Sequence, residues 1–164
     1  MKTASAKRAS TFFLKAVILF IGIAVFTLCA LLFPPILREL RTVPEFTAVF
    51  YPGLFAFYAT AIPFFFALYQ SWKLLRYIDA NNAFSEFSIQ ALRKIKYCAV
   101  AMSILYATNM PLVVLLSELD DAPGGIIIGF VIVLAPLTVA TFAAVLQKLV
   151  QNAIDIKTEN DFTV

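Results

Sequence analysis

No histidine occurs in the 164 residues, and charged side chains make up only 14% of them. The first absence removes the commonest metal ligand and the commonest general base together. The second sets the chain apart from soluble domains, in which about a quarter of residues are charged. Cysteine is scarce too. Cys29 and Cys98 sit in separate apolar runs, which argues for two small packing residues and against a disulfide framework. What fills the chain is apolar: 62% hydrophobic residues, seventeen of them Phe. One domain of this length cannot hide so much apolar surface from water. This is the sequence of an all-α integral membrane protein.

Four runs carry no Asp, Glu, Lys or Arg: 16–37, 47–72, 97–117 and 126–146. Each is long enough to cross a hydrocarbon core of about 30 Å. They predict four transmembrane helices, arranged as two hairpins within a single membrane domain, 1–164. The basic lead before the first run looks like a signal peptide, but the run is long and lacks a small-x-small cleavage site. Leu28 before Cys29 also rules against lipoprotein processing, so the run is a retained span. Pro34 and Pro35 fall near its end, where they are expected to stop or bend the helix.

The longest polar interruption, 73–96, reads KLLRYIDANNAFSEFSIQALRKIK. Asp79-Ala80-Asn81-Asn82 is turn-forming sequence. Ser85 is an N-cap candidate with Glu86 in the first turn behind it. Ile89, Leu92 and Ile95 recur at helical spacing, so an amphipathic helix leads into the third run. In that run Ala99, Ser103 and Ala107 form a small-residue stripe for close helix packing, with Asn109 and Pro111 as its irregularities. After the fourth run, Leu149, Val150, Ala153, Ile154 and Ile156 alternate with polar residues, which extends helix four into an amphipathic tail, 147–164.

Charge sets the orientation. The lead (Lys2, Lys7, Arg8, Lys15), the central segment (Lys73, Arg76, Arg93, Lys94, Lys96) and the tail (Lys148, Lys157) share one side. Only Arg38 and Arg41 fall on the other, whose second loop, ELDDAPGG, is acidic. The positive-inside rule makes both termini cytoplasmic. Trp72, Lys73, Arg76, Arg93, Lys94 and Lys96 then become membrane-interface anchors, because aromatic rings beside cations mark that boundary.

Candidate chemistry is sparse. No span holds an ionisable side chain, which disfavours ion or proton coupling. The carboxylates are few and unclustered, so no catalytic, metal or cofactor site emerges. Asn109 reads best as one modest interhelical bond within the bundle, and the span prolines as static kinks. Gly125 and Gly129 form a GxxxG pair that suits either a turn or close helix approach, including approach by a second copy. The basic residues of 73–96 are explained by orientation and lipid headgroups, without direct nucleic-acid binding.

The stretches NNAFSEFSIQALRKIKYC (Asn81–Cys98) and LQKLVQNAIDIKTENDFTV (Leu146–Val164) resemble the signatures of a bacterial membrane family catalogued as domain of unknown function 2975. Its members more often carry an acidic residue and Asn where this chain has Phe87 and Ser88. The resemblance implies a bacterial inner-membrane protein without established enzymatic activity, and a small helix-turn-helix regulator of the Cro type as partner. Together with the cytoplasmic polar surface it implies a sensor or regulatory protein. The partner-facing residues expected are Phe84, Ser85, Leu149, Ile154, Glu159, Asn160, Asp161, Phe162 and Val164. A passive transporter or oligomeric pore subunit is the alternative.

Overall fold

The computed structural model describes residues 2–42, 47–119 and 121–162, with side chains placed for 10–32, 34–36, 38, 50–119 and 121–161. Among them every regular element is a helix: α1 (Lys2–Thr42), α2 (Thr47–Ala59), α3 (Ala61–Asp79), α4 (Glu86–Thr108), α5 (Met110–Leu119) and α6 (Gly124–Phe162). Sequence this apolar has no other way to satisfy its backbone in lipid short of a closed barrel. Three stretches are long and apolar enough to cross a membrane: Ser10–Ile36, Phe50–Asp79 and Gly124–Asp161. A fourth arises if α4 and α5, which meet at 40°, count as one span.

Prolines have two fates here. Pro34 and Pro35 lie inside α1, which runs through both to Thr42, so of the expected stop or bend the stop does not occur. Pro136 likewise sits inside the unbroken α6. The breaks come instead just before Pro63 and Pro111, at Thr60 and Asn109. Each proline denies an N–H to the carbonyl four residues back and crowds it. Local hydrogen bonds close the backbone at both breaks. Thr60 donates its hydroxyl to the Phe57 carbonyl at 2.6 Å. The Asn109 N–H is shared between the carbonyls of Leu105 and Tyr106.

The turns are built on one device. Asn81 and Asp121 both adopt positive φ, at 58° and 53°. Behind Asn81, the Asn82 N–H reaches back to the Tyr77 carbonyl, and Ala122 does the same to Ser117. These are Schellman closures, and Asn and Asp tolerate the left-handed position better than other side chains do. Ser85 then caps α4 as expected. Its backbone is extended and its hydroxyl accepts the Ser88 N–H, with Glu86 in the first turn.

Packing follows the chain order. Among the described residues α1 touches only α2 and α3, and α6 touches only α4 and α5. The helices therefore stand in a row rather than closing into a four-helix bundle. Lipid is as apolar as the helices, so no hydrophobic force drives closure. The centre of the row is α4. Ile89, Ala91, Leu92, Ala99 and Ser103 are buried along it, Ala99 against Ala140 of α6. Ser103 donates to the Val133 carbonyl at 2.9 Å, three residues before Pro136. Of the predicted stripe, Ala107 alone faces outward. The glycine pair is used inside the chain: a Cβ on Gly125 would meet the Ser117 hydroxyl, and one on Gly129 would lie 3.0 Å from both Met110 and Val113. Close approach of α5 to α6 explains both.

Candidate functional site

Two regions hold what chemistry there is among the described residues. The first gathers the polar segments. Lys15 of α1 pairs with Asp79 at the end of α3, and its ammonium lies 5.9 Å from the Trp72 ring centroid. Lys73 sits over Tyr69 at 5.1 Å. Lys96 sits over Tyr97 at 5.1 Å and reaches the Gln147 carbonyl oxygen at 3.4 Å. These pairs bring the start of α1, the end of α3, the start of α4 and the far half of α6 to one end of the molecule. Cations on ring faces are the grouping expected at a membrane surface.

At this end the 80–88 turn is held by its own hydrogen bonds. The Asn82 carbonyl accepts the hydroxyls of Ser85 at 2.8 Å and Ser88 at 3.2 Å, and Ser88 is fully buried. Tyr77 and Phe87 stack with centroids 5.9 Å apart, so Phe87 ties the end of α3 to the start of α4. Phe84, held up by the same turn, has no such neighbour and is 66% exposed.

The tail is a continuation of α6 without a break. Thirty-nine residues at about 1.5 Å each make a helix of roughly 58 Å, about twice the hydrocarbon thickness. Gln147, Val150, Gln151 and Ile154 are half-buried and recur at i, i+3, i+4 and i+7, one helical face, the face from which Gln147 meets Lys96. Leu149 and Ile156 lie off that face and are exposed. The expected apolar stripe therefore splits: part packs inward, part stands free. Glu159, Asn160 and Asp161 are exposed. Arg76, Arg93 and Lys94 are exposed, and Trp72, Lys73 and Lys96 half-buried. Val164 and the side chain of Phe162 lie outside the described residues.

The second region was not legible as a site in the sequence. A cavity of about 300 Å³ opens between α1, α2 and α5, lined by Ile36, Phe50, Gly53, Leu54, Phe57, Asn109, Leu112, Val113 and Leu116. Both helix breaks adjoin it. Thr60 contacts the Tyr106 hydroxyl at 3.4 Å, and the Tyr106 ring leans on Phe57, 6.2 Å between centroids. Asn109 departs from expectation. Its amide nitrogen is buried and has no hydrogen-bond partner, so it is not the satisfied interhelical bond that its position in a span suggests. Among the described residues no three metal-capable side chains come together, and both cysteines are free.

A family model described as "Protein of unknown function (DUF2975)" matches residues 36–164. The chain is also similar to the "Uncharacterized membrane protein YoaS" of Bacillus subtilis (strain 168), 52% identical over 158 residues, which is 96% of this chain and 99% of that relative. No solved structure matches. The relative's description and the apolar helices agree on a membrane protein.

Proposed function

The chain belongs to the bacterial membrane family DUF2975, and on that premise we propose that it is a non-enzymatic membrane sensor. In this reading four spans cross the cytoplasmic membrane as two hairpins, with α4 and α5 together forming the bent third span. Both termini face the cytoplasm. The 80–88 turn and the amphipathic far end of α6 form the output surface, presented to a small helix-turn-helix regulator. The observation that carries it is the pairing of an exposed Phe84 with a thirty-nine-residue helix, longer than a membrane crossing needs, whose far half lies at the same end of the molecule. A transporter has no use for either. The signal is a change in how α2 and α5 pack around their breaks, passed to the turn through the well-packed α4·α6 pair. Such a switch needs two arrangements of the bundle that differ in how they present the turn and tail.

The orientation is supported by eleven Lys and Arg against two, and the partner class by the family resemblance. Co-purification of a small helix-turn-helix regulator of the Cro type, with the full chain and with one ended after Leu146, tests the reading. Recovery should fall sharply on truncation and on Phe84→Ala. Equal recovery from all three would remove turn and tail from the output surface.

One observation favours the alternative, a passive transporter or pore subunit. Broken helices flanking a cavity are where transporters place substrate sites. Liposome flux that depends on Asn109 would support it, and flux absent at all tested solutes would leave the sensor.

A further inference from the structure

We propose that the cavity between α1, α2 and α5 is a binding site for a small, mainly apolar molecule carrying one hydrogen-bonding oxygen, a carbonyl, ether or hydroxyl. Its volume of about 300 Å³ lies at the small end of ligand sites, which run from about 300 to 1,000 Å³. That is roughly ten times the ~30 Å³ a water occupies in the liquid, enough for a compact one- or two-ring compound.

The lining decides the class. Eight of the nine residues are Ile, Phe, Gly, Leu or Val, and the ninth is Asn109. Among the described residues no ionisable group lines the space, so an ion finds no counter-charge from them. A sugar or other polyol would lose most of its hydrogen bonds. Water is a poor occupant as well, since an ordered water needs two to four polar partners and the side chains offer one. What remains is an apolar body with a single polar atom. Asn109 supplies the matching group: a buried amide nitrogen without a partner, in a setting where an unmade bond is costly. The terminal torsion of Asn is broad, so the amide can turn its N–H₂ toward an oxygen in the cavity.

The backbone around the site supports the same use. Gly53 stands opposite Asn109. A Cβ there would meet the Leu112 side chain and lie 3.4 Å from the Asn109 amide oxygen. The absence of a side chain at 53 leaves room for the Leu112 side chain beside the Asn109 amide. Phe57 is exposed and so is Leu116, and both line the cavity, which gives entry from the bilayer. The site adjoins the α4–α5 bend, so an occupant touches the element assigned the switching role above. Binding itself does not depend on that assignment.

The test is photolabelling of the full chain in phospholipid nanodiscs with benzophenone, a compact diaryl ketone. On irradiation its carbonyl takes a hydrogen atom from a nearby C–H, and the two resulting radicals join, leaving a tertiary alcohol on the labelled residue. Saturable insertion is expected in the 50–57 and 112–116 segments, mapped by mass spectrometry. Asn109→Leu keeps the size and removes the amide. It should raise the probe concentration for half-labelling about three- to tenfold, the factor for one hydrogen bond. Gly53→Val should abolish saturable labelling by filling the space, and Leu116→Phe serves the same purpose should Gly53→Val not fold. Diphenylmethane, the same molecule without the oxygen, should compete more weakly than unlabelled ketone in the wild type and equally well in Asn109→Leu. Labelling spread over the lipid-facing residues of α1 and indifferent to these variants would overturn the proposal. So would a saturable site that binds ketone and hydrocarbon alike, which would make the occupant a lipid chain.

Discussion

Replacing Asn109 by Leu should make the ligand-free protein more stable. That sign is unusual for a polar residue at a helix break. The amide nitrogen is buried without a partner, and leaving such a group desolvated costs about 1–3 kcal/mol. Leu has nearly the same size, and the extra bulk of its branch has the adjoining cavity of about 300 Å³ to enter. The break itself should survive, because Pro111 rather than Asn109 removes the N–H, and the backbone angles at 109 (φ −85°, ψ −5°) suit any residue. The expected gain is therefore about 1–2 kcal/mol, most of the desolvation cost. Reversible unfolding in bicelles, by detergent titration or steric trapping, measures it directly. Were the amide bonded to a neighbouring helix, the same change would cost about 0.6–1.7 kcal/mol, the span measured for interhelical bonds in membranes. A loss of that size would refute the claim that Asn109 is unpartnered, and with it the polar half of the cavity proposal.

The remaining predictions concern the scaffold. Ser85→Ala should destabilise by about 0.5–2 kcal/mol through loss of the α4 cap, read by the same unfolding measurement and by faster amide exchange over 86–89. Asn81→Val should cost about 1–2 kcal/mol by forcing a branched side chain into the left-handed region, while Asn81→Gly should cost nothing. Gly129→Val should cost about 1–3 kcal/mol by overpacking against Met110 and Val113, and should leave the oligomeric state unchanged because this glycine packs within the chain. A dimer-to-monomer shift in that variant would show that Gly129 faces a second copy instead.

Much of this architecture is readable from residue type because the physics is local. Runs free of charge predict membrane helices, and the α4 cap follows from Ser85 and Glu86 alone. The turn at Asn81 and Asn82 follows from side chains that tolerate positive φ. Prolines are harder. Pro34, Pro35 and Pro136 sit in continuous helix while Pro63 and Pro111 adjoin breaks, and residue type alone does not separate the two groups. Nothing in the sequence near Pro63 announces that Thr60 will bond to Phe57 and contact Tyr106. The tail shows the same boundary. Its apolar residues are plain, but which of them face inward depends on the register with α4. The cavity was invisible because its walls bring α5 against α1 and α2, distant in sequence, and Gly53 looks like any small residue in an apolar run. Asn109 stood out as polar, and only its surroundings reveal that it has no partner.

The measurement that bears most directly on the sensor reading is the affinity of the proposed helix-turn-helix regulator for the nanodisc-held protein, compared between wild type and Pro111→Ala. Alanine restores the N–H that the break lacks and favours a straight α4–α5 span, with no change at the turn or tail that would bind the regulator. A sensor whose output is set by that bend should bind the regulator in one form and shift its dissociation constant at least severalfold in the other. No detectable binding in either form, or identical binding in both, would contradict the account.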